Sequence, residues 1–249
     1  HDGKVTVMRL NEDGTIGEMT DEIFHKGLGS VAERNFRPHV NCVNITPDQK
    51  YLCAVDLGVD QVKIYKFNHE TGKITLVDML RCELESAPRI IKFSPDGRFA
   101  YLICELKNYI SVYSYKDGPR GPVFELLQTI STLNDYHSSG SAACVLRFSR
   151  DWKYVLCSNA GDNSIGIFKI DRETGKLEKI CILPISGDYP KAADFFPDNR
   201  HIMSLNHETN TMTIFKINYE KKYFSMWGKP LKVETPNCIL VSEIEKLPG

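Results

Sequence analysis

The sequence lacks an apolar run near the roughly 20 residues a bilayer-spanning helix needs, so no such helix is expected. It also lacks charge of one sign. Lys and Arg total 31 against 32 Asp and Glu, a formal net charge of −1. The basic excess typical of nucleic-acid binders is missing. No Cys-x-x-Cys or Cys/His spacing suits zinc. A Gly-x-Ser-x-Gly elbow and a phosphate-cradling P-loop are both absent. So is any sustained helical periodicity, which excludes a solenoid of helix pairs. The 249 residues begin with His1 rather than Met, which suggests a processed product or a fragment.

What remains is an ordinary globular composition, 42% hydrophobic and 25% charged. The eight cysteines, Cys42, Cys53, Cys82, Cys104, Cys144, Cys157, Cys181 and Cys238, are scattered singly among apolar residues. They read as free thiols packing as small hydrophobes in a reducing cytoplasm. Neither a metal nor a cofactor is expected.

An internal repeat organises the chain. Four segments share one pattern: a short apolar run, a tight turn, a second apolar run, a polar turn, and an alternating run ending near Tyr or Phe. The first turns align on Pro47, Pro95, Arg150 and Pro197, and Ser94-Pro95-Asp96-Gly97 is the cleanest of them. The second turns carry Asp60, Asn108, Asn163 and Asn210, residue types that tolerate turn geometry. Third strands alternate, as in Ser111-Val112-Tyr113-Ser114-Tyr115. A Glu-Thr-Gly-Lys turn follows at Glu70 and again at Glu173. The fourth run is the most polar, as an outer edge should be.

Repeats of this length with four strands each predict an all-β fold, a β-propeller of four-stranded antiparallel blades. The Gly-His and Trp-Asp marks of WD40 repeats and the Gly-Gly pair of kelch repeats are missing. Complete blades are expected at about 38–86, 87–140, 141–188 and 189–234. A partial blade of two strands precedes them at 1–37, and one closing inner strand follows at 235–245. This makes about 4.75 blades of one propeller domain over 1–249. Propellers close by pairing their termini within a blade, so an N-terminal portion is expected to be absent.

Several motifs resemble the seven-bladed lactonase family, whose best-known members are the propeller-type bacterial 6-phosphogluconolactonases. They are Pro38-His39, Asp56-Leu57-Gly58-Val59-Asp60, Pro88-Arg89, Ser94-Pro95-Asp96-Gly97-Arg98, Glu105-Leu106, Ser141-Ala142-Ala143, Ser158-Asn159 with Gly161, and Gly187 with Pro190-Lys191. The resemblance covers essentially the whole chain. It implies a sugar-lactone hydrolase acting on a small molecule without metal, in the cytoplasm, with neither nucleic acid nor membrane as partner. The missing part would be roughly 90 residues by the repeat length.

Propellers bind ligands where their inner strands converge. Six residues before the first turn, the repeats carry Asn41, Arg89, Cys144 and Lys191, with Asn237 equivalent in the tail. A second ring falls at the end of the second strands: Leu57, Glu105, Ala160 and His207, preceded by Asp56, Cys104, Asn159 and Asn206. Lactone hydrolysis needs a base for water and a cation or donor for the oxyanion. Glu105 is the first candidate base and His39 the second. Arg89 is the expected anion partner, assisted by Lys191. Asn41, Asp56, Asn159, Asn206 and His207 are expected to contact substrate.

The chain departs from the family pattern. Asn41 replaces the second His of Pro-His-x-His, and Ile90 the His of Pro-Arg-His. Cys104 replaces the Asn of Asn-Glu-Leu, and Lys191 the Arg of Pro-Arg. Cys144 and Ala160 stand where the family has Glu and Arg. Two other readings therefore stay open: a catalytically degenerate propeller that binds a small molecule or partner, and a relative that cycloisomerises a muconate-type lactone.

Overall fold

The structure is a computed structural model, and it describes residues 3–30 and 35–242. Those residues form nineteen β-strands and one 3-10 turn, Leu57–Val59. Among the described residues no helix is long and apolar enough to cross a membrane. The chain divides into two compact units, residues 1–129 and 130–249.

The first unit opens with a hairpin, β1 (Lys4–Leu10) and β2 (Ile16–Phe24). A four-stranded sheet follows: β3 (Val40–Ile45), β4 (Tyr51–Asp56), β5 (Gln61–Phe67) and β6 (Ile74–Arg81). The next sheet is β7 (Pro88–Phe93), β8 (Phe99–Cys104), β9 (Tyr109–Gly118) and β10 (Gly121–Ser131), which ends just past the unit boundary. The second unit repeats the plan. One sheet is β11 (Ala142–Phe148), β12 (Tyr154–Ala160), β13 (Ser164–Ile170) and β14 (Leu177–Pro184). The last contains β15 (Pro190–Phe195), β16 (His201–Asn206), β17 (Thr211–Asn218) and β18 (Tyr223–Met226). In all four sheets consecutive strands pair antiparallel, as the repeat predicts.

Burial explains the sequence pattern. β4 and β8 are buried along their whole length, so both faces are apolar. β6 is mostly exposed, although Leu76 and Val77 on it are apolar, a departure from the polar fourth strand that the repeat predicts. Between the sheets of the first unit pack Val55, Val62, Ile64, Ile91, Leu102 and Tyr113. The β1–β2 hairpin sets Val5 against Leu52, Ala54 and Tyr65. The second unit's core is Leu156, Ile165, Ile167, Phe195, Ile202 and Phe215. Each such side chain contributes about 1.5–3 kcal/mol by leaving water.

The turns follow their chemistry. Asp60, Asn108, Asn163 and Asn210 all sit at positive φ, between 51° and 55°, where short polar side chains are tolerated. Three of them also reach forward to the link that starts the following repeat. Asp60 Oδ1 accepts from Ala87 N at 2.8 Å, Asn163 Oδ1 from Tyr189 N at 2.8 Å, and Asn210 Oδ1 from Thr235 N at 2.7 Å.

The C-terminal end differs from expectation. Residues 235–242 carry no strand, and 243–245 lie outside the described residues. The nineteenth strand is instead β19 (Leu231–Lys232), which pairs with β17 beyond β18. Trp227 to Pro230 interrupt that outer edge, where Gly228 takes φ 83° and Pro230 has no N–H for a ladder.

Candidate active site

Every inner strand carries a β-bulge at the same place. In the first sheet Val40 pairs with Asp56 but Cys42 with Val55, leaving Asn41 as the extra residue. The same slip makes Arg89 the extra residue on β7, Cys144 on β11 and Lys191 on β15. A bulge locally re-aims a side chain and recurs beside functional sites. The four residues aligned by sequence are thus the four that the backbone singles out.

On β7 the bulge sets up an ion pair. The Arg89 guanidinium donates from a terminal nitrogen to Glu105 Oε2. Glu105 immediately follows β8, and its N–H is held by the Ala87 carbonyl at 2.8 Å. The Glu105 side chain is 2% exposed and that of Arg89 is 17% exposed. The carboxylate lies against the guanidinium. Its effect is to hold a charged, planar donor in one orientation.

Asn41 does not stand alone. Its amide donates to the Arg89 carbonyl at 3.2 Å, and Asn44 donates likewise to the Ile91 carbonyl at 3.1 Å. These bonds stitch β3 to β7. Asn41 therefore buttresses the Arg89 bulge from the neighbouring strand.

His39 is positioned through its backbone. Asp56 Oδ1 accepts from His39 N at 2.7 Å and from Gly58 N at 3.1 Å. Its other oxygen accepts from His25 Nδ1 at 2.6 Å, and His25 Nε2 accepts from the Tyr65 hydroxyl at 2.9 Å. Burial pushes the Tyr65 hydroxyl up to about 12. Gly58 has to be glycine, because a Cβ there would lie 1.6 Å from the Arg37 carbonyl oxygen.

Asp56, Asn159 and Asn206 are corrected from substrate contacts to internal clasps. Each is fully buried, so none can meet a ligand from solvent. Asn159 donates to the Thr132 carbonyl at 2.8 Å and to Ser164 Oγ at 3.0 Å. Asn206 donates to the Ser186 carbonyl at 3.1 Å and to Thr213 Oγ1 at 3.0 Å. All three lie at or next to the end of a second strand and tie it to the chain segment entering the sheet. The His25–Asp56–Tyr65 network and the buried Asn35, which donates to the Leu57 carbonyl at 2.6 Å, escape sequence reading because no spacing links them.

In the second unit, Lys191 is half-buried at the β15 bulge. His207 follows β16 and stands as Glu105 does after β8, its N–H bonded to the Tyr189 carbonyl at 3.0 Å. Cys144 and Ala160 occupy the corresponding positions on β11 and β12, and both are buried. Two of the departures from the family pattern thus fall on one hairpin, which carries a small neutral couple where β7–β8 carries charge. Among the described residues, no three His, Cys, Asp or Glu side chains gather as a metal-binding group. All eight cysteines are free, and five of them, Cys53, Cys104, Cys144, Cys157 and Cys181, are buried.

The family profile described as "Lactonase, 7-bladed beta-propeller" matches residues 1–241. The chain is 28% identical over 239 residues to a 6-phosphogluconolactonase of Bacillus subtilis, covering 96% of this chain and 67% of that protein. It is 36% identical over 241 residues to an uncharacterised protein of Lactococcus lactis subsp. cremoris, covering 96% and 69%. Among solved structures, the periplasmic gluconolactonase of Pseudomonas aeruginosa superposes with a TM-score of 0.85 at 26% identity, over 94% of this chain and 65% of that one. The repeated four-stranded sheets and the match over residues 1–241 agree: the chain belongs to the seven-bladed β-propeller lactonase family, and is a lactone-hydrolysing enzyme.

Proposed function

We propose that the chain hydrolyses a phosphorylated aldonolactone to the corresponding acid, as a 6-phosphogluconolactonase does. The observation that carries this reading is the Arg89–Glu105 pair at the β7 bulge. Lactone opening places negative charge on the carbonyl oxygen, and a preoriented guanidinium is a donor suited to it. Glu105 holds that guanidinium and Asn41 braces the strand that carries it. Lys191, at the equivalent bulge of β15, is a flexible point charge suited to an anionic group. The near-neutral chain favours a small-molecule substrate over nucleic acid. The eight free thiols support a cytoplasmic enzyme, here of bacterial carbohydrate metabolism.

The test compares a 6-phosphorylated with an unphosphorylated aldonolactone, using wild type and Lys191→Met. Wild type should favour the phosphorylated lactone. Lys191→Met should raise KM for it about tenfold, worth about 1.4 kcal/mol, and leave the other substrate's constants unchanged. Equal KM effects on both substrates would remove Lys191 from that role. One observation favours a second reading, a binding propeller without catalysis: the neutral Cys144–Ala160 couple on β11–β12. Hydrolysis no faster than spontaneous opening would select it.

A further inference from the structure

We propose that Asp60 is the positioning residue for the Arg89–Glu105 pair: its carboxylate fixes residues 85–87, and through them the plane of the guanidinium that meets the lactone. This rests on the lactonase reading and names what keeps that site preorganised.

Asp60 is 4% exposed, and its carboxylate is surrounded by donors. Oδ1 accepts from Ala87 N at 2.8 Å, from Asn35 Nδ2 at 3.1 Å and from Ser86 Oγ at 3.4 Å. Oδ2 accepts from Glu85 N at 2.8 Å. An ionised carboxylate is acceptor-only, so each of these neighbours suits it. The segment it grips has an unusual backbone. Glu85 and Ala87 take φ 63° and 53°, in the left-handed region that residues with a Cβ rarely adopt. Such a conformation persists only where its surroundings hold it.

The gripped segment leads directly into the site. Ala87 precedes Pro88, the first residue of β7, and Arg89 follows at the bulge. The Ala87 carbonyl accepts from Glu105 N at 2.8 Å, and the Ser86 carbonyl accepts from Leu106 N at 3.1 Å. Both members of the ion pair are therefore tied to one short link, Arg89 by the chain and Glu105 by a hydrogen bond.

The other repeats supply the contrast. Tyr189 and Thr235 stand where Ala87 does, at φ 59° and 40°. They give their N–H groups to Asn163 and Asn210 respectively. An asparagine has a single acceptor oxygen, so this backbone conformation does not by itself require a carboxylate. Asp60 is the only acid among the four second-turn residues Asp60, Asn108, Asn163 and Asn210. Its second oxygen adds the bond to Glu85 N. The doubly anchored link thus falls in the repeat whose bulge carries a guanidinium held by a carboxylate. A planar donor depends on its orientation in a way that a point charge does not.

The test is steady-state hydrolysis of an aldonolactone, with spontaneous opening subtracted, well below the Tm of every variant. Asp60→Asn is made in wild type and in Arg89→Lys. Asn offers one oxygen and one NH2, so a donor faces either Glu85 N or Ala87 N whichever way it turns. In wild type the change should lower kcat about 10–100-fold and move KM less than about twofold, since the lost orientation is felt in the transition state. In Arg89→Lys, whose ammonium has no plane to hold, it should cost less than about threefold. An unchanged kcat, or a loss confined to KM, would overturn the proposal. So would the same fold-loss in both backgrounds, the mark of a merely structural residue. If Asp60→Asn does not fold, Asp60→Ser, which opposes no NH2 to the link, carries the same comparison; failure of both to fold would also overturn the positioning role. Wild-type hydrolysis at the spontaneous rate would fail the lactonase reading itself, before any variant is compared.

Discussion

Replacing Glu105 by Leu tests the ion pair at the β7 bulge directly. The change removes a carboxylate that is 2% exposed from a guanidinium that is 17% exposed. Breaking a buried pair from one side costs about 3–5 kcal/mol, because the remaining charge stays desolvated. The partial exposure of Arg89 puts the expected loss near the lower end, about 3 kcal/mol. In a chain of this size each kcal/mol lowers Tm by about 2–4 °C, so the shift should be about 6–12 °C. The double variant Arg89→Met/Glu105→Leu removes both charges and replaces them with apolar bulk, which is often neutral or stabilising. Its Tm should return to within a few degrees of wild type. Activity should not return, because removing a preorganised donor costs about 10²–10³ in kcat. Thermal melts and lactone hydrolysis on the same preparations separate the two effects. A Glu105→Leu variant that melts like wild type would refute the argument. So would a double variant that remains as unstable as the single one.

Two further outcomes follow from the buried groups. Gly58→Ala should prevent folding or lower Tm steeply, since its Cβ would lie 1.6 Å from the Arg37 oxygen and 2.9 Å from His39 N, both backbone; an unchanged melt would contradict the close approach. Burial pushes the Cys53, Cys104 and Cys157 thiols up to about 12. At pH 8 a thiol reagent should therefore label exposed Cys238 and spare these three until the protein is denatured. The raised folded-state values also set a sign. The stability they contribute is complete below the ordinary thiol range near 9.0 and is lost as pH climbs towards 12. Tm should fall over that interval, and less steeply in Cys157→Ala.

The strand plan was legible because its signals are local. Pro-Asp-Gly chemistry marks the first turns, and Asp60, Asn108, Asn163 and Asn210 mark the second at the positive φ they tolerate. Aligning the repeats also isolated Asn41, Arg89, Cys144 and Lys191. The bulges behind that alignment belong to strand register, which no single repeat spells out. Direction was harder to read than position. Asp56, Asn159 and Asn206 are polar residues on apolar strands, a pattern shared by a ligand contact and an internal clasp. Only burial and partners distinguish the two. Glu105 reads as a base in isolation, and its bond to Arg89, sixteen positions away, changes what it can do. Of the closing strand expected at 235–245, residues 235–242 carry no strand, and β19 instead adds to the pairing of β17.

The central claim is that the β7 bulge presents Arg89 to a lactone undergoing hydrolysis. Its most direct measurement is the rate of aldonolactone opening, corrected for spontaneous hydrolysis, for wild type and a folded Arg89→Ala variant. Wild type should exceed the spontaneous rate, and Arg89→Ala should lose about 100-fold or more in kcat/KM. An Arg89→Ala enzyme as fast as wild type, or a wild type no faster than buffer, would contradict the account.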